Sequence, residues 1–406
     1  MTAENNSTRV AMRDLLRIAR ERERAMIQLL ARFVRCESPS YDKAAVDRFG
    51  AMVAGEWKRR GASVKVLAQR LRGNHLRVEL PPLMGRGAGA VKKRDARGSL
   101  RDGGQILVLG HLDTVYPLGT IARMPFRVQG GQAWGPGTFD MKGGLVLALS
   151  AADVLHAAGG RPRKRIVFLW TSDEEIGSKT SRRLIENEAR SSDAVLVLEP
   201  AFGRDGRLKT QRKGVGGAEL IVTGKSAHAG IEPEKGVNAV HEMALQIARL
   251  MKMNEPRRGI TVQATVMEGG TASNVVPAHA RASIDIRFAK LADAAGIERR
   301  LRSLRPILKG ARVEVRMAPL RPPLERTAGV RGLFSQAQGL MREMGFALDE
   351  AATGGGSDGN FTGALGVPTL DGLGAVGDGA HSLREHVVVR ELAVRAALIA
   401  GLIASL

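Results

Sequence analysis

The sequence predicts an α/β protein: a largely parallel mixed sheet flanked by helices, interrupted by an inserted α+β block. Three observations carry this. Ile106-Leu107-Val108-Leu109, Ile166-Val167-Phe168-Leu169 and Ala194-Val195-Leu196-Val197-Leu198 are continuous apolar runs, the mark of strands buried on both faces. Helical periodicity fills the stretches between them, and strand–helix alternation builds parallel sheets. Near Lys213 the pattern changes to the alternation of an antiparallel sheet, and near 327 it changes back. A chain of 406 residues exceeds one ordinary core. The expected domains are 1–212 with 327–406, and an insert at 213–326.

Taken in order, Met12, Leu15, Leu16 and Ala19, then Met26, Leu29, Leu30, Phe33 and Val34, predict a helix over 9–35 that Ser38-Pro39-Ser40 ends. Val46, Phe49, Met52, Val53 and Trp57 predict a second over 42–60. Strands follow at 63–67 and 75–80. The stretch 81–105 is rich in Gly, Arg and Lys without periodicity and reads as a long exposed loop. The three apolar strands come next, with helices at about 144–158 and 179–189. In the insert, strands are expected at 215–222, 260–267, 282–288 and 312–317, and helices at 237–251 and 291–304. Helices at 330–344 and 389–404 finish the chain.

Bulk properties remove several function classes. Aromatic residues are only 4%, so the core must be mainly aliphatic. A single cysteine, Cys36, permits no intrachain disulfide and fits a reducing, cytoplasmic setting. The first 25 residues lack the apolar core of a signal peptide, and the longest apolar runs, 144–152 and 396–406, are too short to span a bilayer. Formal charge is +21, but the cations are scattered and not interleaved with aromatics, so nucleic acid and membrane partners are not expected. Anionic small molecules fit better.

The polar residues that end or follow the apolar strands carry the chemistry. They are His111, Asp140, Glu175 and Glu199, with His381 in a late glycine-rich loop. Singly, each reads as an ordinary turn acid or satisfied histidine. Together, at the strand edge where open α/β sheets assemble sites, imidazoles and carboxylates make a ligand set for zinc or a similar divalent ion. Two histidines and three carboxylates exceed one tetrahedral ion, and with one bridging carboxylate they suit two. Adjacent Glu174 and Glu175, at an extended strand end, should point in different directions. His75, His156, His241, His279 and His386 read as structural or surface residues.

Gly110-His111-Leu112-Asp113-Thr114-Val115, Asp140-Met141-Lys142-Gly143, the acidic turn 171–177, Leu198-Glu199-Pro200 and Gly379-Ala380-His381-Ser382 resemble, in order and over nearly the whole chain, the motifs of the zinc hydrolases that include carboxypeptidase G, acetylornithine deacetylase, succinyl-diaminopimelate desuccinylase and aminoacylase. The glutamate carboxypeptidase-like branch is nearest. The resemblance implies one metal on His111 and Glu199 and another on Glu175 and His381, with Asp140 bridging. It makes Asp113 the residue that orients His111 and Glu174 the general base. The two ions would be zinc, with manganese or cobalt also suited to such ligands.

Within the insert, Gly224-Lys225-Ser226-Ala227-His228-Ala229-Gly230 resembles the family's lid motif. It implies that His228 stabilises an oxyanion, reaching a partner subunit's site in a homodimer joined through this lid. By the same resemblance Asn274 contacts substrate and Arg287 and Arg321 hold its carboxylate; Gly356, in Gly355-Gly356-Ser357-Asp358, is expected to supply backbone donors beside Arg287. Where glutamate-specific members place a lysine, this chain has Arg207. The implied reaction is hydrolysis of an amide in a small carboxylate-bearing molecule, such as a C-terminal glutamate peptide or N-acyl amino acid. Deamination or decarbamoylation of a carboxylate-bearing amine on the same scaffold is the alternative.

Overall fold

Six strands form the sheet of the larger unit, in the order Ser63–Leu67, His75–Glu79, Arg165–Thr171, Gln105–His111, Ala194–Val197, Thr369–Leu370. The computed structural model describes residues 10–80, 93–94, 100–101 and 104–406. The last four strands pair in parallel; the first two join antiparallel, so the sheet is mixed. The short connection over 68–74 allows only a return in the opposite direction, whereas the parallel strands are linked through helices.

The doubly buried runs alternate between two cores. Ile106, Val108, Phe168, Trp170 and Leu196 face one that is closed by Lys43–Arg59, Gly143–Ala157 and Val389–Ser405. Leu107, Leu109, Val167, Leu169, Val195 and Val197 face the other, against Ile185 and Ala189 of Arg182–Arg190 and Phe361 of Gly359–Ala364. Each of these side chains contributes roughly 1.5–3 kcal/mol by leaving water. That burial fixes the register His111 opposite Thr171 and Leu109 opposite Val197, and so brings three strand ends to one edge.

The N-terminal helix expected over 9–35 is two, Met12–Glu21 and Glu23–Arg35, meeting at Arg22 with φ −100° and ψ 2°. No glycine or proline marks the break. The change of direction lets both apolar stripes enter the same core. A four-stranded sheet adds to the expected elements. It runs Gly377–Asp378, His386–Val388, Gln132–Trp134, Arg127–Gln129. Its hairpin turns at Gly130 and Gly131, whose φ values of 60° and 74° are those of a type I′ turn. The loop expected at 81–105 lies largely outside the described residues.

The smaller unit comprises Gln211–Glu325 and Thr353–Gly356. Its sheet, Thr261–Gly269, His279–Phe288, Gly214–Thr223, Arg312–Met317, is antiparallel throughout. Alternate residues of the two central strands are buried against Ala239–Met251 and Leu291–Arg302. Thr353–Gly356 belongs here, not with the larger unit, because the Lys213 amide donates to the Thr353 carbonyl at 3.0 Å and Arg212 donates to Gly355 and Gly356. Among the described residues no helix is long and apolar enough to cross a membrane.

Candidate metal centre

His111 ends its strand fully buried, with Nε2 facing Asp140 Oδ1 at 3.2 Å and Glu199 Oε1 at 3.5 Å. His381 Nε2 faces the other Asp140 oxygen, Oδ2, at 3.4 Å and Glu175 Oε2 at 3.3 Å. Two three-residue groups result, His111–Asp140–Glu199 and Asp140–Glu175–His381, each with its ligand atoms within 4.8 Å of one another. Asp140 belongs to both. His381 adopts a left-handed backbone, φ 61°, in the loop after Gly379.

Glu174 and Glu175 do not lie on an extended strand end. They open a 3₁₀ turn, Glu174–Ile176, closed by Gly177 at φ 94°. Successive residues of such a turn are about 120° apart, so the two side chains still diverge. The turn is held from below. Buried Asp113 accepts from the Glu174 and Glu175 amides, both at 3.3 Å, and from Ser40 Oγ at 2.7 Å. Asp358 accepts from Thr171 and Ser178 hydroxyls, and His75 Nδ1 accepts the Ser172 amide at 3.1 Å. The structural reading of His75 therefore fits its place.

The other His111 nitrogen, Nδ1, is 2.9 Å from the Asp113 backbone carbonyl and 3.5 Å from its carboxylate. The carbonyl is the nearer acceptor, and the carboxylate is spent chiefly on the acidic turn.

The electrostatics describe a place for cations. Burial alone would lower the His111 pKa, but Asp113, Asp140 and Glu199 raise it well above the usual imidazole value. Asp140 and Glu175 hold His381 up at about 10. Burial opposes ionisation of Asp140, yet the two imidazoles pull its carboxyl far below the ordinary range. Burial wins at Glu175, whose pKa is raised. Glu175 Oε1 is buried with no hydrogen-bond partner among the described residues. An orphaned oxygen on a carboxylate whose other oxygen faces an imidazole fits a divalent ion, as does this mix of nitrogen and oxygen donors.

The remaining expected residues lie in the smaller unit. His228 Nδ1 accepts the Gly230 and Ile231 amides at 3.1 and 3.2 Å, so a neutral ring carries its proton on Nε2. The Ala229 amide donates to the Asn274 carbonyl at 2.9 Å, which sets these two loops side by side. Arg287 is forked on Asp285 at 2.8 and 2.9 Å, and its Nη1 reaches the Gly354 carbonyl at 3.3 Å. A Cβ on Gly356 would lie 2.9 Å from the Arg321 side chain, so only glycine fits beside that arginine without a shift. Arg207, which belongs to the larger unit, pairs with Asp205 and lies over the Phe202 ring.

Sequence reasoning missed several supports. Fully buried Glu385 accepts the Gly137, Phe139 and Asp140 amides at 3.0, 2.8 and 2.8 Å, and burial pushes its pKa up to about 7. Lys142 donates to the Phe33 and Cys36 carbonyls at 3.1 and 2.8 Å over the Phe49 ring, and burial lowers it to about 8. The available signal was the Asp140-Met141-Lys142-Gly143 motif itself; Glu385 had none.

Two ligand groups joined by one aspartate make a candidate centre for two metal ions, and the chain's relatives make it a metal-dependent hydrolase. The chain belongs to peptidase family M20/M25/M40, whose profile matches residues 107–405. It is 32% identical to carboxypeptidase G2 of Pseudomonas sp. (strain RS-16) over 398 residues, 97% of this chain and 92% of the relative. It is 30% identical to succinyl-diaminopimelate desuccinylase of Burkholderia multivorans over 312 residues, covering 71% and 80%. The crystal structure of aminopeptidase PepT from Bacillus cereus has the same fold, with TM-score 0.75 and 22% identity over 94% of this chain and 98% of that one.

Proposed function

We propose that this protein is a di-metal amidohydrolase that cleaves the amide bond of a small molecule carrying a free carboxylate, such as a C-terminal glutamate peptide or an N-acyl amino acid. One observation carries the reading: Asp140 presents Oδ1 to His111 and Oδ2 to His381, and it belongs both to the group with Glu199 and to the group with Glu175. Each metal would then have one histidine, one glutamate and a shared aspartate, leaving a position open as catalytic sites do. Zinc is the first candidate, and manganese or cobalt would suit the same donors. When bound, such a pair polarises a carbonyl and acidifies a water.

The protein's own groups do the rest. Glu174, at the start of the 3₁₀ turn, takes the proton of the attacking water and returns it to the leaving nitrogen. Asp113 keeps that turn in place through two backbone amides. His228, with its proton on Nε2, offers a donor to the oxyanion. Arg287 retains one N–H on each terminal nitrogen beyond its bonds to Asp285 and Gly354, enough for a carboxylate fork. Arg321, Asn274 and the Gly356 backbone complete the substrate contacts. The desuccinylase relative is named for removing an acyl group that itself bears a carboxylate.

The same reading makes the smaller unit a lid and the homodimer contact. Its edge strand Thr261–Gly269 exposes Val266 and Met267, an apolar edge suited to a second copy. A cytoplasmic location goes with the single cysteine. The test is metal analysis combined with a screen of N-acyl amino acids, dipeptides and carboxylated amines. Release of a free amino acid from an amide supports the reading. Ammonia release without an amino-acid product would replace it with deamination or decarbamoylation.

A further inference from the structure

Glu385 has no place in the reaction as described, yet it is fully buried and its carboxylate takes three backbone hydrogen bonds from one turn. Those donors are the amides of Gly137, Phe139 and Asp140, so the acceptor sits directly beneath the residue shared by both ligand groups. Glu385 also lies four residues after His381. Its own backbone is fixed on the other side: the Gly135 amide donates to its carbonyl at 3.3 Å, and the next residues pair as His386 with Trp134 and Val387 with Ala133. A third segment joins here. Tyr116, which follows the His111–Asp113 loop, donates its hydroxyl to the Ser382 carbonyl at 2.9 Å and faces the Glu385 carboxylate.

We propose that Glu385 is a positioning residue for the metal pair. Its carboxylate fixes the separation of the His111, Asp140 and His381 segments and so sets how both ions share Asp140. The inference rests on the di-metal reading above. The turn has no internal substitute for this acceptor. A neutral glutamine would keep one oxygen for Phe139 and Asp140 but set an NH₂ against the Gly137 amide, or the reverse.

Zinc binding is measured by competition with a chromophoric chelator, and the cobalt-loaded protein is compared by visible absorption. Glu385→Gln should stay folded without metal but melt a few degrees below the wild type, because its NH₂ faces a buried donor. It should bind the weaker ion about 10- to 100-fold less tightly, the range for residues that orient metal ligands. Its cobalt bands should shift, which a merely structural role would not cause. If Glu385→Gln fails to fold, Tyr116→Phe decides. Loss of that one hydrogen bond should weaken zinc about fivefold. Wild-type affinity and an unchanged cobalt spectrum in Glu385→Gln, or unchanged zinc affinity in Tyr116→Phe where that variant decides, would overturn the proposal. A wild-type protein that takes up no metal would instead overturn the di-metal reading, whatever the variants do.

Discussion

Asp113→Asn separates two ways in which a buried carboxylate could serve this centre. The side chain is fully buried and accepts from Ser40 Oγ at 2.7 Å and from the amides of Glu174 and Glu175 at 3.3 Å. Its Oδ1 is 3.5 Å from His111 Nδ1, whereas the Asp113 backbone carbonyl is at 2.9 Å. Asparagine keeps the backbone acceptor and one side-chain oxygen, and turns the other corner into a donor. Whichever way it sits, an NH₂ meets either the Glu174 amide or the Ser40 hydroxyl and Glu175 amide. A hydrogen bond to a charged group contributes about 1.5–3 kcal/mol, and a buried donor facing a donor costs about 1–3 kcal/mol. The two 3.3 Å contacts belong at the low end, so the variant should lose about 2–4 kcal/mol in the metal-free state. Displacing Glu174 by about 1 Å should lower kcat roughly 100-fold. His111 keeps its nearer acceptor, so metal affinity should fall only about tenfold, the bottom of the range for such partners. Chelator competition and kcat at saturating metal measure the two effects separately. A 100-fold loss of metal affinity with normal kcat at saturating metal would refute the reasoning and return Asp113 to the role of orienting His111.

Glu174→Gln should reduce kcat by roughly 10²–10⁴-fold while metal content stays at the wild-type level, and normal turnover would remove Glu174 as the base. Arg287→Ala should raise KM at least about tenfold for the carboxylate substrate but little for its carboxamide analogue; equal effects on both would contradict a carboxylate contact. Glu242 is fully buried; burial opposes its ionisation, but bonds from Gln246, Leu308 and Ile307 lower its pKa overall. A depressed carboxyl stabilises the fold above its unfolded value of 4.5, and that contribution is lost as pH falls through the folded value. Glu242→Gln should therefore cost about 1–3 kcal/mol at pH 7 and progressively less in acid, as read by denaturation at both pH values; a difference independent of pH would contradict this.

Much of the centre is legible in the sequence because parallel strands buried on both faces are unbroken apolar runs, and a polar residue that ends one stands out. His111 and Glu199 are visible in that way, and the register of Leu109 with Val197 then brings them together. The acidic turn is visible for the same reason, although its 3₁₀ form depends on amides captured by Asp113 from a different strand. Glu385 lies between Arg384 and His386 with no periodic neighbours, and its partners are about 245 residues away in sequence. No local pattern reports a carboxylate whose donors are chiefly backbone amides. The hairpin at Gly130 and Gly131 did leave a turn signal, but its strands are three residues each, too short for alternation to register. Thr353–Gly356 joins the smaller unit through Arg287 and through Arg212, which precedes Gly355 and Gly356 by 143 and 144 residues, a link that a change of periodicity cannot reveal.

The most direct measurement is the number of ions each chain holds, in the wild type and in Asp140→Asn. Elemental analysis by mass spectrometry after dialysis against a zinc buffer should give two per wild-type chain. Asparagine has one oxygen for the two positions that Oδ1 and Oδ2 occupy, so Asp140→Asn should hold no more than one. A single ion in the wild type, or two in the variant at unchanged affinity, would contradict a centre built around a shared Asp140.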